Sequence, residues 1–397
     1  MKILVLNCGS STLKFQLIEI GSIKEKEKKL ARGIVDQIGG QASYHFEADG
    51  AVSDQKTAAI PTHEQAVGLV IDWLRSKAEL GSVDAVGHRV VHGGDQFVAA
   101  VRIDDDVIAR LEALCEMAPL HNPAAMSGVR EARKILGGSM PMVAAFDTSF
   151  HHGIPQYAAL YAIPHDLSHR HKIRRYGFHG LAHQYDVGRY AEIAGKRTEE
   201  INAVILHLGN GCSASAIRNG QSIDTSMGFT PLEGLIMGTR SGDLDPALVS
   251  YLASKEAVDA AEIDNWLNKR SGLLGLSGIS NDMRELMAAY DKNPRARLAV
   301  EAFCYRARKY LGAYLAVVDS AEAVIFSGGI GENSPSARAM ICRDMDWCGL
   351  HLDPSDNEAV LGRDGMISGS DSRLKVAVIH TDEEIIIARE TVHLIGG

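Results

Sequence analysis

The sequence predicts an α/β fold built as two halves of one architecture, and two observations carry that prediction. The chain has 397 residues, more than a single hydrophobic core comfortably serves, so two domains are the natural division. The same pattern of strand, glycine turn and strand also opens twice, about half a chain apart.

The first copy is the apolar run Ile3-Leu4-Val5-Leu6, the turn Asn7-Cys8-Gly9-Ser10-Ser11, and an alternation that sets Leu13, Phe15 and Leu17 against Lys14, Gln16 and Ile18. The mixed-charge stretch from Lys24 to Lys29 reads as a solvated hairpin tip. Strand candidates follow at Ala85 to Val91 and Met142 to Asp147. The second copy runs from Ala203 to Leu208, turns at Gly209-Asn210-Gly211-Cys212-Ser213, and alternates through Ala214 to Ile217 before an Asn219-Gly220 turn. A further strand is expected at Ala323 to Ser327. Polar clusters stand at the carboxyl ends of these strands, where α/β sheets bind ligands. Ser334-Pro335 and Asp245-Pro246 each place a capping side chain before a proline at the first helical position. Thr381-Asp382-Glu383-Glu384 reads as a capping box that opens a last helix running to His393.

Hydrophobic residues at 46% and charged residues at 23% match ordinary globular usage, while 39 glycines direct attention to glycine-built turns. A formal charge of −9 argues against a nucleic-acid partner and favours small ligands. Six cysteines without a CxxC pair suit reduced thiols. The apolar run at the start is too short for a signal-peptide core or a membrane span, so a cytoplasmic protein without a membrane partner is expected.

No G-x-x-x-x-G-K-[ST] run is present, so bound phosphates would lie on the glycine hairpins. There the backbone N–H groups of a tight turn converge with the hydroxyls of Ser10, Ser11 and Thr12 in one half and of Ser213 in the other. An ordinary β-turn is the plain reading of either hairpin alone; two in one chain favour the functional one. Gly209 to Ala214 also fits the dinucleotide pattern G-x-G-x-x-A, but that pattern needs a helix next, and an alternating strand follows. Arg89 and Arg240 each lie among small residues that let a ligand approach the backbone, which marks them as anion clamps rather than surface ion pairs. A zinc site on His179 and His183 lacks a neighbouring acid or cysteine and is disfavoured.

The segments NCGSSTLKFQL (7–17), GHRVVHGG (87–94), PLHNP (119–123), FDTSFH (146–151), RRYGFHG (174–180), HLGNGCS (207–213), GTRSGDLDP (238–246), FSGGIGENS (326–334) and TDEE (381–384) resemble the acetate kinases, in that order and over nearly the whole chain. The resemblance implies duplicated actin-like (ribonuclease H-like) domains with an active-site cleft between them. It divides the chain into an N-terminal domain at 1–147, with helix 386–397 packing back on it, and a nucleotide-binding domain at 148–385. It also implies a homodimer that uses ATP and ADP, Mg2+ (which Mn2+ can replace), acetate and acetyl phosphate.

Carried over by motif, Arg89 and Arg240 would hold the carboxylate and the phosphoryl group, and His179 would donate to phosphoryl oxygens. Asn7, Asp147 and Glu383 would organise magnesium. The nucleotide would be bound by Ser10, Thr12, Lys14, His207, Gly209, Asn210, Gly211, Gly328, Gly329, Ile330, Gly331 and Asn333, with the 209–211 turn at its phosphates and 328–331 at its adenosine. Val91, Leu120, Phe178 and Pro231 would form the apolar pocket for the acetate methyl, Val91 lying on the strand and face of Arg89. A smaller residue stands at that position in related propionate kinases, so valine argues for acetate. Cys8 replaces a frequent alanine and Asp382 a common asparagine, neither at a chemically active position. A phosphoenzyme on Glu383 or a histidine, a hydroxyl acceptor with Asp147 as base, another short-chain carboxylate, and a non-catalytic actin-like ATPase module are the alternatives to direct in-line transfer to acetate.

Overall fold

A computed structural model describes residues 1–21, 27–48, 51–77, 82–119 and 121–396, with side chains omitted at 51–53. The residues form two compact units, Met1–Ser149 with Asp382–Gly397, and Phe150–Thr381.

In the first unit β1 (Lys2–Cys8) and β2 (Thr12–Glu19) form the expected antiparallel hairpin, and β3 (Lys28–Asp36), β4 (Gly40–Ala48) and β5 (Ala51–Ile60) extend it as a meander. On the other side of β1, β6 (Ala85–Val90) and β8 (Met142–Phe146) add in parallel, and β7 (Val101–Arg102) closes the edge. Phe15 packs edge to face on Phe46 and on Trp73 of helix His63–Arg75, which Thr62 caps. The alternation in β2 set Ile18 outward, yet Ile18 is buried. Helix Glu383–Ile395 covers that face, and Gly87 is what lets it approach β6. A Cβ there would stand 2.6 Å from Ile387 Cγ2 and 2.7 Å from Thr391 Oγ1.

In the second unit β9 (Ala203–Leu208), β10 (Cys212–Arg218) and β11 (Gln221–Thr225) are the antiparallel meander, while β12 (Ala323–Ser327) and β14 (Lys375–Val378) add in parallel beside β9. A short β13 (Gly365–Met366) closes that edge. The orders β3-β2-β1-β6-β8 and β11-β10-β9-β12-β14 are the same topology twice, which is the duplication the repeated hairpin announced. Gly209-Asn210-Gly211 leads into a strand rather than a helix, against a dinucleotide loop.

Four local expectations change. β6 ends at Val90, so Val91 lies one residue beyond the strand. The charged tip lies partly outside the described residues, but Lys28 and Lys29 belong to β3, and Lys29 forms an ion pair with the buried carboxylate of Asp382. Helix Ala247–Glu256 starts one residue late, with the Ala247 N–H donated to Asp245 at 2.9 Å. The 381–384 capping box does not form: the Thr381 hydroxyl goes to Asp186 at 2.7 Å, and the Glu384 carboxylate accepts from Asn7 and Gln16. A buried carboxylate and two side-chain amides outcompete the local cap for these groups. The Ser334 cap is present, its oxygen accepting from the Ala337 N–H. Among the described residues no helix is long and apolar enough to cross a membrane.

Candidate active site

In the first unit the polar cluster is set by strand ends. Asn7 is near the end of β1, Arg89 near the end of β6, Asp147 just past β8, and Glu383 in the first turn of the last helix. Arg89 offers a fork to Asp147, Nε to Oδ1 at 2.8 Å and Nη2 to Oδ2 at 2.6 Å, the bidentate geometry that guanidinium and carboxylate share. Its Nη1 donates to Asn7 Oδ1 at 3.1 Å and reaches Glu383 Oε1 at 3.5 Å. Asn7 Nδ2 donates to Glu383 at 2.8 Å and to Glu384 at 3.2 Å. Burial opposes the Arg89 cation, but Asp147 and then Glu383 more than reverse it and raise its pKa above the usual range. Burial, and then Glu383 beside it, raises the Glu384 carboxyl, with Lys14 opposing. Ser10 and Lys14 are exposed and Thr12 is half-buried on the hairpin. Val91 is buried, and Leu120 lies outside the described residues.

In the second unit His179 stands ahead of helix Gly180–Ala194 in the left-handed region, φ 58°, a conformation a non-glycine residue keeps only when its surroundings impose it. His151 contributes: its Nε2 bonds the Phe178 carbonyl at 3.1 Å and its Nδ1 the Ser222 hydroxyl at 2.8 Å, and burial pushes its pKa down to about 4. Phe178 is itself buried. Across the 209–211 turn, a side chain on Gly211 would stand 3.3 Å from His179 Nε2 and 3.7 Å from Arg240 Nη1. This small space is lined by backbone, an imidazole edge and a cation. Arg240 Nη1 donates to the Pro231 carbonyl at 3.2 Å, and among the described residues no carboxylate lies within ion-pair distance of it. Burial lowers its pKa, with Cys212 opposing. By contrast Arg175, from the same cationic segment as His179, is structural: it binds Glu233 and the carbonyls of Thr225, Ser226 and Met227.

Gly209, Asn210, Gly329, Ile330 and Asn333 line one cavity of about 480 Å³. Gly328 and Gly331 lie in the same helix, Gly328–Asn333, so the glycine run starts a helix rather than a loop. Asn281, Asp282, Met283, Arg284 and Ser334 line the same cavity, and none of them is marked as a site residue by the sequence. Asn281 Nδ2 donates to Asn210 Oδ1 at 3.1 Å. A polar Ser-Asn-Asp step before a helix was the available signal, but it reads equally well as an ordinary cap.

Comparison with known proteins identifies the family. The model of the acetokinase family matches residues 2–389. An acetate kinase of Chloroherpeton thalassium is 48% identical over 409 residues, covering 98% of each chain. Among solved structures, Porphyromonas gingivalis acetate kinase superposes with a TM-score of 0.90 at 40% identity over 99% of both chains. A propionate kinase from Francisella tularensis gives 0.92 at 40% identity, over 99% of this chain and 100% of that one. The family model spans both units, and relatives approach half identity from end to end; the chain belongs to the acetokinase family.

Proposed function

We propose that this protein transfers the terminal phosphoryl group of ATP to acetate, reversibly, giving acetyl phosphate and ADP by direct in-line displacement. The observation that carries the reading is Arg240, a largely buried cation without a carboxylate partner among the described residues, beside the His179 Nε2 edge and the Gly211 backbone. A cation so placed is stabilised by an incoming anion. Membership of the acetokinase family supports the same reaction.

An acetate acceptor is ionised at neutral pH, since carboxyl groups titrate near pKa ~4, so no general base is needed. The obstacle is repulsion between acceptor and triphosphate, which cations and positioned donors overcome. Arg240 meets the phosphoryl oxygens, and His179 donates to them. The Arg89 fork is already filled by Asp147, so engaging acetate there exchanges one carboxylate for another at a cation whose charge is already balanced. Asn7, Glu383 and Asp147 offer hard oxygens gathered around one guanidinium, a donor set that fits Mg2+, which takes one or two carboxylates and keeps several waters. These residues would hold the ion, which when bound neutralises charge on the phosphate oxygens. The nucleotide occupies the cavity of Asn210, Ile330 and Asn333, and the acetate methyl packs against Val91. The same reading makes the protein a homodimer, as the family resemblance implies. We place the protein in the cytoplasm, where ATP is available.

The likeness to a propionate kinase gives a second reading, in which the acceptor carries one more methylene. One assay tests both: ATP, Mg2+ and a panel of short carboxylates, with acyl phosphate trapped as hydroxamate. Acetate gives the most product, and EDTA abolishes it. Product from propionate exceeding that from acetate establishes the second reading, and nucleotide hydrolysis without acyl phosphate from folded protein overturns both.

A further inference from the structure

His207 lies in the middle of the second sheet with a serine opposite it on each side, Ser213 in β10 and Ser327 in β12. His207 and His179 face one another, ring centroids 5.0 Å apart. Each imidazole reaches a buried ionisable group through one of the serines, and the bonding fixes where each proton lies.

For His207 the chain ends on Asp186, which is fully buried. Asp186 Oδ1 accepts from Thr381 at 2.7 Å and Oδ2 from the Ser327 hydroxyl at 2.5 Å. With its one proton given to Asp186, Ser327 Oγ can only accept from His207 Nδ1, 3.0 Å away. For His179 the chain ends on His183. Ser213 Oγ lies 2.8 Å from His183 Nε2 and 3.0 Å from His179 Nδ1. One hydroxyl proton cannot serve both rings, so one of them must donate. If His179 donated, the His183 proton would sit on Nδ1, which is buried without a hydrogen-bond partner among the described residues. An orphaned buried N–H is rare, whereas a lone pair there forfeits less. His183 therefore donates from Nε2 and Ser213 passes its proton toward His179 Nδ1. Burial, and then His151 and His207, hold His183 neutral, its pKa well below the ordinary value.

We propose that these two serine-relayed chains lock the facing imidazoles in opposite tautomers, His207 protonated on Nδ1 and His179 on Nε2, making Asp186 and His183 positioning residues for the phosphoryl transfer. The assignment of roles rests on the carboxylate-kinase reading; the tautomers do not. The consequence is a division of labour. His179 donates from Nε2 while neutral. His207, with its proton on Nδ1, presents a bare Nε2 and so accepts a hydrogen bond there rather than donating one. The groups facing His207 are His179, His183 and Asp186 from the segment of helix Gly180–Ala194, with Ser213 and Ser327 from the flanking strands. Glu332, from the helix after β12, is turned to His380 instead.

The test is 15N NMR of the full chain labelled in its histidine rings, without nucleotide, in a pH series carried to alkaline values where both imidazoles are neutral. His179→Gln and His207→Gln assign the signals. The expected result is a protonated-type Nδ1 for His207 and a protonated-type Nε2 for His179. A bare Nδ1 on His207, or a protonated Nδ1 on His179, overturns the proposal. Ser327→Ala and Ser213→Ala should each shift the ring nitrogens of their own histidine toward the averaged values of mixed tautomers; unchanged shifts in both variants also overturn it. If either variant fails to fold, the spectrum of the parent still decides. Acyl phosphate formation by the same parent sample separates the two readings. Activity with the wrong tautomers overturns the relay alone, and the expected tautomers without activity uphold the relay and overturn the kinase reading.

Discussion

Replacing Arg338 with methionine should destabilise the second unit and weaken nucleotide binding together. The Arg338 side chain is fully buried, and among the described residues its hydrogen-bond partners are neutral groups. Nε donates to Asn357 Oδ1 at 2.8 Å, Nη1 to the Gly331 and Glu332 carbonyls at 2.8 and 3.1 Å, and Nη2 to the Asn357 and Val360 carbonyls at 2.5 and 3.0 Å. Methionine fills similar space and leaves four acceptors without this donor, since the Glu332 carbonyl keeps the Gly362 N–H at 3.3 Å. At about 1 kcal/mol each, the low end for buried polar groups, the loss is about 4 kcal/mol. Burial, partly opposed by Glu358, pushes the guanidinium pKa down to about 10, so relief of a buried charge offsets part of it. A net cost of about 3 kcal/mol remains, which for a domain of this size lowers Tm by roughly 6–12 °C. Gly331 and Glu332 belong to the helix whose Gly329, Ile330 and Asn333 line the nucleotide cavity, so KM for ATP should rise more than kcat falls. Scanning calorimetry and steady-state kinetics measure both. A Tm within about 2 °C of the parent means that the neighbouring carbonyls find water, and the reasoning fails.

Three further outcomes are expected. Arg89→Ala should cut acetyl phosphate formation by about 10²–10³, and Arg89→Lys should not restore it, since an ammonium cannot reproduce the fork to Asp147; near-parental turnover in either makes Arg89 merely structural. Val91→Ala should shrink or invert an acetate preference over propionate of roughly tenfold, mainly by improving propionate, because a methylene that overpacks a closed pocket costs ~1–3 kcal/mol; equal loss with both acids makes Val91 a core residue. The folded protein holds His151 neutral, with its pKa pushed from 6.5 to about 4. Its contribution is therefore fully present above pH 6.5 and declines as the pH falls toward 4, the loss levelling off at about 3 kcal/mol below that. Urea titrations across this range should show a shallower acid loss for His151→Asn, and parallel curves for the two proteins would count against it.

Much of the fold could be read from local pattern. The two hairpins, the three central parallel strands and the Ser334 cap depend on short-range alternation and turn chemistry, which a single sequence states directly. Ile18 could not be read, because alternation assumes one wet face and helix Glu383–Ile395 covers the other. The 381–384 cap failed for a related reason: Thr381 and Glu384 are claimed by Asp186, Asn7 and Gln16, residues far away in sequence.

The candidate site divides along the same line. The residue types were determined by the sequence, since glycine turns flanking Arg89, Arg240 and His179 already name an anion chemistry. Which arginine is neutralised and which is not was decided only by tertiary structure: Asp147, 58 positions from Arg89, fills its fork, while among the described residues Arg240 meets only a carbonyl and a thioether. The serines that relay His179 and His207 to buried partners were equally invisible, because cross-strand neighbours are set by sheet register. Local sequence encodes what a residue can donate or accept. Where its protons and charges settle depends on distant groups brought within about 3 Å, and that is the work of the fold.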